Sequence, residues 1–163
     1  LVSELPADGG TAAAEAIMTT DSVAKTVVCD GSGYRIGGMA KGAGMLAPGL
    51  ATMLVVITTD ADLPAAQLDA ALRQATSHSF DRLDSDGCMS TNDQVTLMVS
   101  GASGITPNQA DFQAALIFVC HSLAGGSLVE PWCRACCHRS GTACTGFAHR
   151  HFGICQCGGW RCV

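Results

Sequence analysis

An α+β fold is predicted by three stretches of the chain. Residues 52–59, TMLVVITT, are continuously apolar and β-branched and read as a strand buried on both faces. Thr26-Val27-Val28-Cys29, Asp30-Gly31-Ser32-Gly33 and Tyr34-Arg35-Ile36 read as strand, tight turn and strand. Residues 64–76 read as a helix, with Asp62 as N-cap, Pro64 in the first turn and Leu68 and Leu72 four apart.

The remaining elements follow in chain order. Residues 11–18, TAAAEAIM, come after an Asp8-Gly9-Gly10 turn and are rich in Ala, so a helix is expected that ends at Met18-Thr19-Thr20-Asp21. Gly37 to Gly49 is expected to form a loop, because its many glycines suit a close backbone approach to a ligand rather than a regular element. Phe80 to Leu83 is a short strand candidate ending in the turn Asp84-Ser85-Asp86-Gly87, which lacks the further ligands of a calcium loop. Val95 to Val99 is a further apolar strand closed by Gly101. Thr106-Pro107-Asn108-Gln109 has the form of a capping box that opens a helix through Phe112 and Leu116.

Composition bounds the function. With 48% apolar and 14% charged residues the chain suits a packed enzyme core, and its formal charge of -5 argues against a nucleic-acid surface. Residues 42–59 carry no charge, but Gly42, Gly44, Gly49 and Pro48 interrupt them, so no membrane helix is expected. No basic-then-apolar opening marks a secretory signal, and a cytoplasmic location follows as an expectation.

The cysteines divide the chain. Eight of the ten fall after Leu116, with both Trp and four of the five His residues. Residues 1–116 hold five basic and 13 acidic side chains, whereas 117–163 hold four basic side chains and a single acid, Glu130. Two kinds of sequence are therefore expected, 1–116 as the central part of an enzyme domain and 117–163 as an irregular Cys-rich tail. Out-of-frame translation is the preferred reading of the tail. The alternative is a zinc-binding module built from Cys133, Cys136, Cys137, His138, Cys144, His149, His151, Cys155 and Cys157, whose spacing is irregular for such a site.

Catalysis in the first part has few candidates. His78 is the lone histidine before residue 117 and sits at a helix end, where it suits the helix dipole better than a base role. Cys88 has no His beside it and reads as a small hydrophobe. Thr52 opens the apolar strand after a small residue, Ala51. A threonine freed at a chain N-terminus carries its own base, the α-amine. Cleavage between Ala51 and Thr52 would supply that amine.

The stretch GGMAKGAGMLAPGLATMLVVITTDA, with AAEAIMTTD upstream and FDRLDSDGCMSTNDQV downstream, closely resembles the ornithine acetyltransferases, or glutamate N-acetyltransferases, of arginine biosynthesis. The resemblance covers residues 1–116. It implies the layered architecture of N-terminal-nucleophile enzymes, incomplete in this chain. It also implies self-cleavage before the threonine of the A-T-M-L motif, here Ala51-Thr52-Met53-Leu54, and assembly as an α2β2 heterotetramer. Thr52 would be the nucleophile that takes acetyl from N-acetylornithine, or in bifunctional members from acetyl-CoA, and passes it to glutamate. Lys41, with Thr19 or Thr20 of the M-T-T-D motif, would hold the substrate. No bound cofactor or metal is implied. The family's oxyanion-hole pair would precede Leu1, and its remaining substrate residues would follow Leu116. The competing expectation is an inactive truncated product.

Overall fold

The computed structural model describes residues 8–42, 52–82, 92–128, 155–157 and 160–162. Helix α1 spans Gly10–Ala16 and strand β1 spans Lys25–Asp30. The Asp30 to Tyr34 turn then returns the chain as β2, Arg35–Lys41, antiparallel to β1 from Lys25↔Ala40 to Asp30↔Arg35. The expected hairpin is present, but its second strand runs on through Gly37 and Gly38, which were expected to lie in a loop. Two ladders hold these glycines, because β2 also pairs antiparallel with β3, Leu54–Thr59. At Gly38 the missing side chain has a packing purpose: a Cβ there would lie 2.9 Å from Leu123 Cδ1 and 3.3 Å from Val119 Cγ1.

Strand β3 continues into α2, Ala65–Ser77, and the chain returns to the sheet as β4, Gln94–Val99, parallel to β3 from Leu54↔Gln94 to Thr59↔Val99. The sheet order is thus β1-β2-β3-β4. Between α2 and β4, Phe80–Arg82 forms a 3₁₀ turn in place of the expected strand, with Phe80 buried in the core and Asp81 and Arg82 exposed. Pro64 occupies the N-cap position of α2. Asp62, expected there, instead donates its backbone N–H to the Ile105 carbonyl at 2.8 Å.

Helix α3 spans Gln109–Leu128. Asn108, rather than Thr106, caps it: its side-chain oxygen accepts from the Ala110 N–H at 2.8 Å and its carbonyl accepts from the Phe112 N–H at 3.0 Å. The helix passes through Leu116 without interruption. Phe112, Leu116, Val119, Cys120 and Leu123 all turn into the core against Ile36, Ala40, Val55 and Ile57 of the sheet, with Leu68, Ala71 and Ala75 of α2 behind them. Cys120 belongs to this core. Burial pushes its thiol up to about 12, against a smaller opposing hydrogen bond from Ser79, so it behaves as an inert apolar group.

Strand β3 was expected to be buried on both faces, but burial alternates along it. Val55, Ile57 and Thr59 are buried towards the helices, Leu54 and Val56 are half-buried and Thr58 is exposed. The opposite face of the sheet leaves Val28 and Met98 exposed. Cys155–Cys157 and Trp160–Cys162 pair as a short antiparallel hairpin, β5 and β6. The proposed zinc ligands from Cys133 to His151 lie outside the described residues, as do Asp84-Ser85-Asp86-Gly87 and Cys88. Among the described residues, no group of His, Cys, Asp and Glu is placed to hold a metal ion, and no helix is long and apolar enough to cross a membrane.

The approach of α3 to Gly38 sets the first test. Gly38→Val is expected to cost ~1–3 kcal/mol by overpacking, since Leu123 and Val119 are themselves buried and cannot swing to solvent. A lowered urea midpoint with an unchanged slope checks it; an unchanged midpoint contradicts the close contact.

Candidate active site

The site lies where β2 ends and β3 begins. In the antiparallel ladder Lys41 is opposite Leu54, so Thr52 stands two residues ahead of the register partner of Lys41. At about 3.3 Å per residue in an extended strand, that offset is roughly 7 Å along the chain direction. Side chains alternate across the sheet, which places Ala40 and Val55 on the helix-covered face and Lys41 and Leu54 on the other. Thr52 is half-buried. The residue after it is clamped on both sides: the Met53 N–H donates to Asp93 Oδ1 at 2.8 Å, and its carbonyl accepts from the Gln94 N–H at 3.0 Å. Ala51 lies outside the described residues.

The chain holds only two lysines, Lys25 and Lys41, and both are buried here, with 5% and 8% of their surface exposed. They differ in their partners. The Lys25 ammonium pairs with Asp21, whose side chain is wholly buried, and donates to the Gly42 carbonyl at 3.1 Å. Asp21 also accepts from the Gly42 N–H at 2.8 Å and from the Thr19 N–H at 3.3 Å. Burial alone pushes the Asp21 carboxyl up, but Lys25 and the two N–H groups together outweigh it and hold the carboxyl below its ordinary value. Gly42 is suited to this position because its φ of +138° is one that side chains rarely adopt, and a Cβ would sit 3.4 Å from Met53 Cα.

Lys41 has no carboxylate partner among the described residues. Its Nζ is 3.5 Å from Thr19 Oγ1, a long contact. The structure thus brings Thr19 to Lys41; both Thr19 and Thr20 are exposed, but Thr20 makes no polar contact among those residues. Asp21, Lys25 and Asp93 were not singled out from the sequence. Asp21 and Lys25 were findable, since one of the chain's two lysines follows the M-T-T-D acid by four residues. Asp93 was not, because its bond to Met53 spans 40 residues.

Two outcomes follow from the Asp21 network. Asp21→Ala leaves the Lys25 charge buried and uncompensated and is expected to lower stability by ~3–5 kcal/mol in chemical denaturation. Disrupting the exposed Arg73–Asp69 pair by Arg73→Ala is expected to leave the midpoint in place. Because the folded state depresses the Asp21 carboxyl below 3.8, its contribution is fully present above that pH and is lost as pH falls through the lower folded value. Urea midpoints measured from neutral pH down to about pH 3 are expected to fall more steeply for the parent chain than for Asp21→Asn below about pH 4. Parallel curves would contradict the assignment.

Known proteins match this chain over the same elements. The ArgJ family model matches residues 1–129, past the expected boundary near Leu116 and to the end of α3. The arginine biosynthesis bifunctional protein ArgJ of Thermobifida fusca is 62% identical over 129 residues, which is 79% of this chain and 34% of that protein. The proteins of the same name from Streptomyces avermitilis and Streptomyces coelicolor are 60% identical over 129 residues and 62% over 120, covering 79% and 74% of this chain. The chain spans about a third of the length of these curated relatives. On a family match that takes in every described element from α1 to α3, the chain belongs to the ArgJ family.

Proposed function

We propose that this chain carries the nucleophile and the carboxylate-binding lysine of an acetyltransferase acting in arginine biosynthesis. The observation that carries the reading is Lys41: a buried ammonium opposite the start of β3, two residues after Thr52, with a hydroxyl but no carboxylate to meet it among the described residues. A buried charge is costly unless paired, so such a site favours an anionic ligand. N-Acetylornithine and glutamate each carry an α-carboxylate that would complete the pair. The relatives' shared name, an arginine biosynthesis bifunctional protein, supports these substrates.

In the proposed sequence, the Thr52 hydroxyl attacks the Ala51 carbonyl and forms an ester with the upstream chain. Water then hydrolyses that ester and leaves Thr52 with a free α-amine. This amine takes the hydroxyl proton as Oγ attacks the acetyl carbonyl of N-acetylornithine, and ornithine leaves as its amine. Glutamate's amine next attacks the acetyl ester, returns the proton to Thr52 and departs as N-acetylglutamate. Acetyl-CoA would serve as a second donor through the same ester. Asp93 would hold the Met53 peptide, and through it the backbone of Thr52, fixed during both attacks.

Oxyanion donors, further substrate contacts and an α2β2 assembly would come from the remainder of a family polypeptide in the cytoplasm. The loss of one such donor slows a reaction by ~10²–10³, which a single-turnover event tolerates over long incubation. Intact-mass analysis of the purified chain is expected to show two pieces divided between Ala51 and Thr52, and one unbroken chain for Thr52→Ala. A parent chain that stays whole, or a Thr52→Ala variant that still breaks there, contradicts the reading.

A further inference from the structure

The two buried lysines divide one problem between them. Asp21 meets Lys25 directly and the immediate neighbours of Lys41: it accepts from the N–H of Gly42, the residue after Lys41, and from the N–H of Thr19, whose hydroxyl faces the Lys41 ammonium. An acid so placed would neutralise Lys41 if nothing else claimed it. Lys25 does claim it, with its side chain 3% exposed against the wholly buried side chain of Asp21. The ladder makes this possible, because Lys25 pairs with Ala40 and so projects from the face opposite to Lys41. The geometry points to Lys25 as a positioning residue that locks Asp21 away from Lys41, keeping the Lys41 ammonium open for a substrate carboxylate.

The lock has two further consequences for the site. By donating to the Gly42 carbonyl, Lys25 ties down the residue that follows Lys41, while Asp21 holds the N–H of the same residue. Both polar groups of the Gly42 backbone are therefore spent, and the end of β2 is fixed opposite Met53. The inference rests on the reading that Lys41 receives a carboxylate. It adds that the availability of Lys41 depends on a second cation which never touches substrate.

Having only two lysines makes the test direct. Labelling the chain with ¹³Cε-lysine gives two signals, assigned by Lys25→Arg and Lys41→Arg. With glutamate as the probe, the Lys41 signal is expected to move and the Lys25 signal to stay. In Lys25→Met, Asp21 turns to Lys41: the ligand-free Lys41 signal is expected to shift, and the apparent affinity for glutamate to fall by about tenfold or more. In Asp21→Asn/Lys25→Met, which removes both charges, the signal and the glutamate response are expected to return towards those of the parent chain. A residue that served only to support the fold would show no such return. Where Lys25→Met does not fold, Lys25→Gln replaces it, since its amide still donates to the Gly42 carbonyl without a charge. A ligand-free Lys41 signal that Lys25→Met or Lys25→Gln leaves in place, or that the double variant does not restore, overturns the lock. A parent chain whose Lys41 ignores glutamate overturns the carboxylate reading instead, with the ligand-free comparison still deciding the lock.

Discussion

A buried charge must be answered, and among the described residues the end of the β2–β3 ladder holds three: Asp21, Lys25 and Lys41. Two of them answer each other. Among the described residues the third meets only a threonine hydroxyl, and the local backbone is organised around that imbalance. Asp21 draws in the N–H groups of Thr19 and Gly42, which ties the segment between α1 and β1 to the end of β2. Had Asp21 met Lys41 instead, the site would be electrostatically closed, with no driving force for an incoming anion.

The sheet makes this arrangement rigid. Ile36, Ala40, Val55 and Ile57 are clamped under α3, and α3 approaches β2 closely because Gly38 offers no side chain to hold it off. Two strands fixed by one core hold Lys41 at the end of β2 opposite Leu54 at the start of β3, and Thr52 stands two residues ahead of that ladder. The parallel pairing of β4 brings Asp93 to the amide of Met53 from the other side. Site residues from four separate stretches, around 19–25, 41, 52 and 93, are thereby gathered at one end of a four-stranded sheet.

Much of this was legible in the sequence. The apolar runs at 52–59 and 95–99 and the turn at 30–33 mark β-structure through side-chain type alone, although the first strand begins only at Leu54, and Leu68 marks the buried stripe of α2. The errors share a physical cause. Gly37 and Gly38 read as loop because glycine has low strand propensity, yet hydrogen bonds to two neighbours and the demands of helix packing override it. Phe80 reads as strand because it is aromatic, whereas it plugs the core from a 3₁₀ turn. Cys120 was grouped with the cysteines beyond it by composition, although α3 carries it into the core at helical spacing from Leu116 and Leu123. Lys41 and Thr52 are proposed from their motif. The Asp21–Lys25 lock and the Asp93 clamp depend on which strands are neighbours, and no local pattern encodes that.

The central claim is that Thr52 carries acetyl while Lys41 holds the carboxylate of the donor. It is tested most directly by incubating the chain with N-acetylornithine, digesting it and mapping added acetyl groups by mass. The account predicts one acetyl on the peptide that begins at Thr52, released by hydroxylamine as an ester and absent from Lys41→Ala. An acetyl group found on Lys41 or Lys25 in its place, or a Thr52 peptide that stays unmodified in a chain already divided before Thr52, would contradict it.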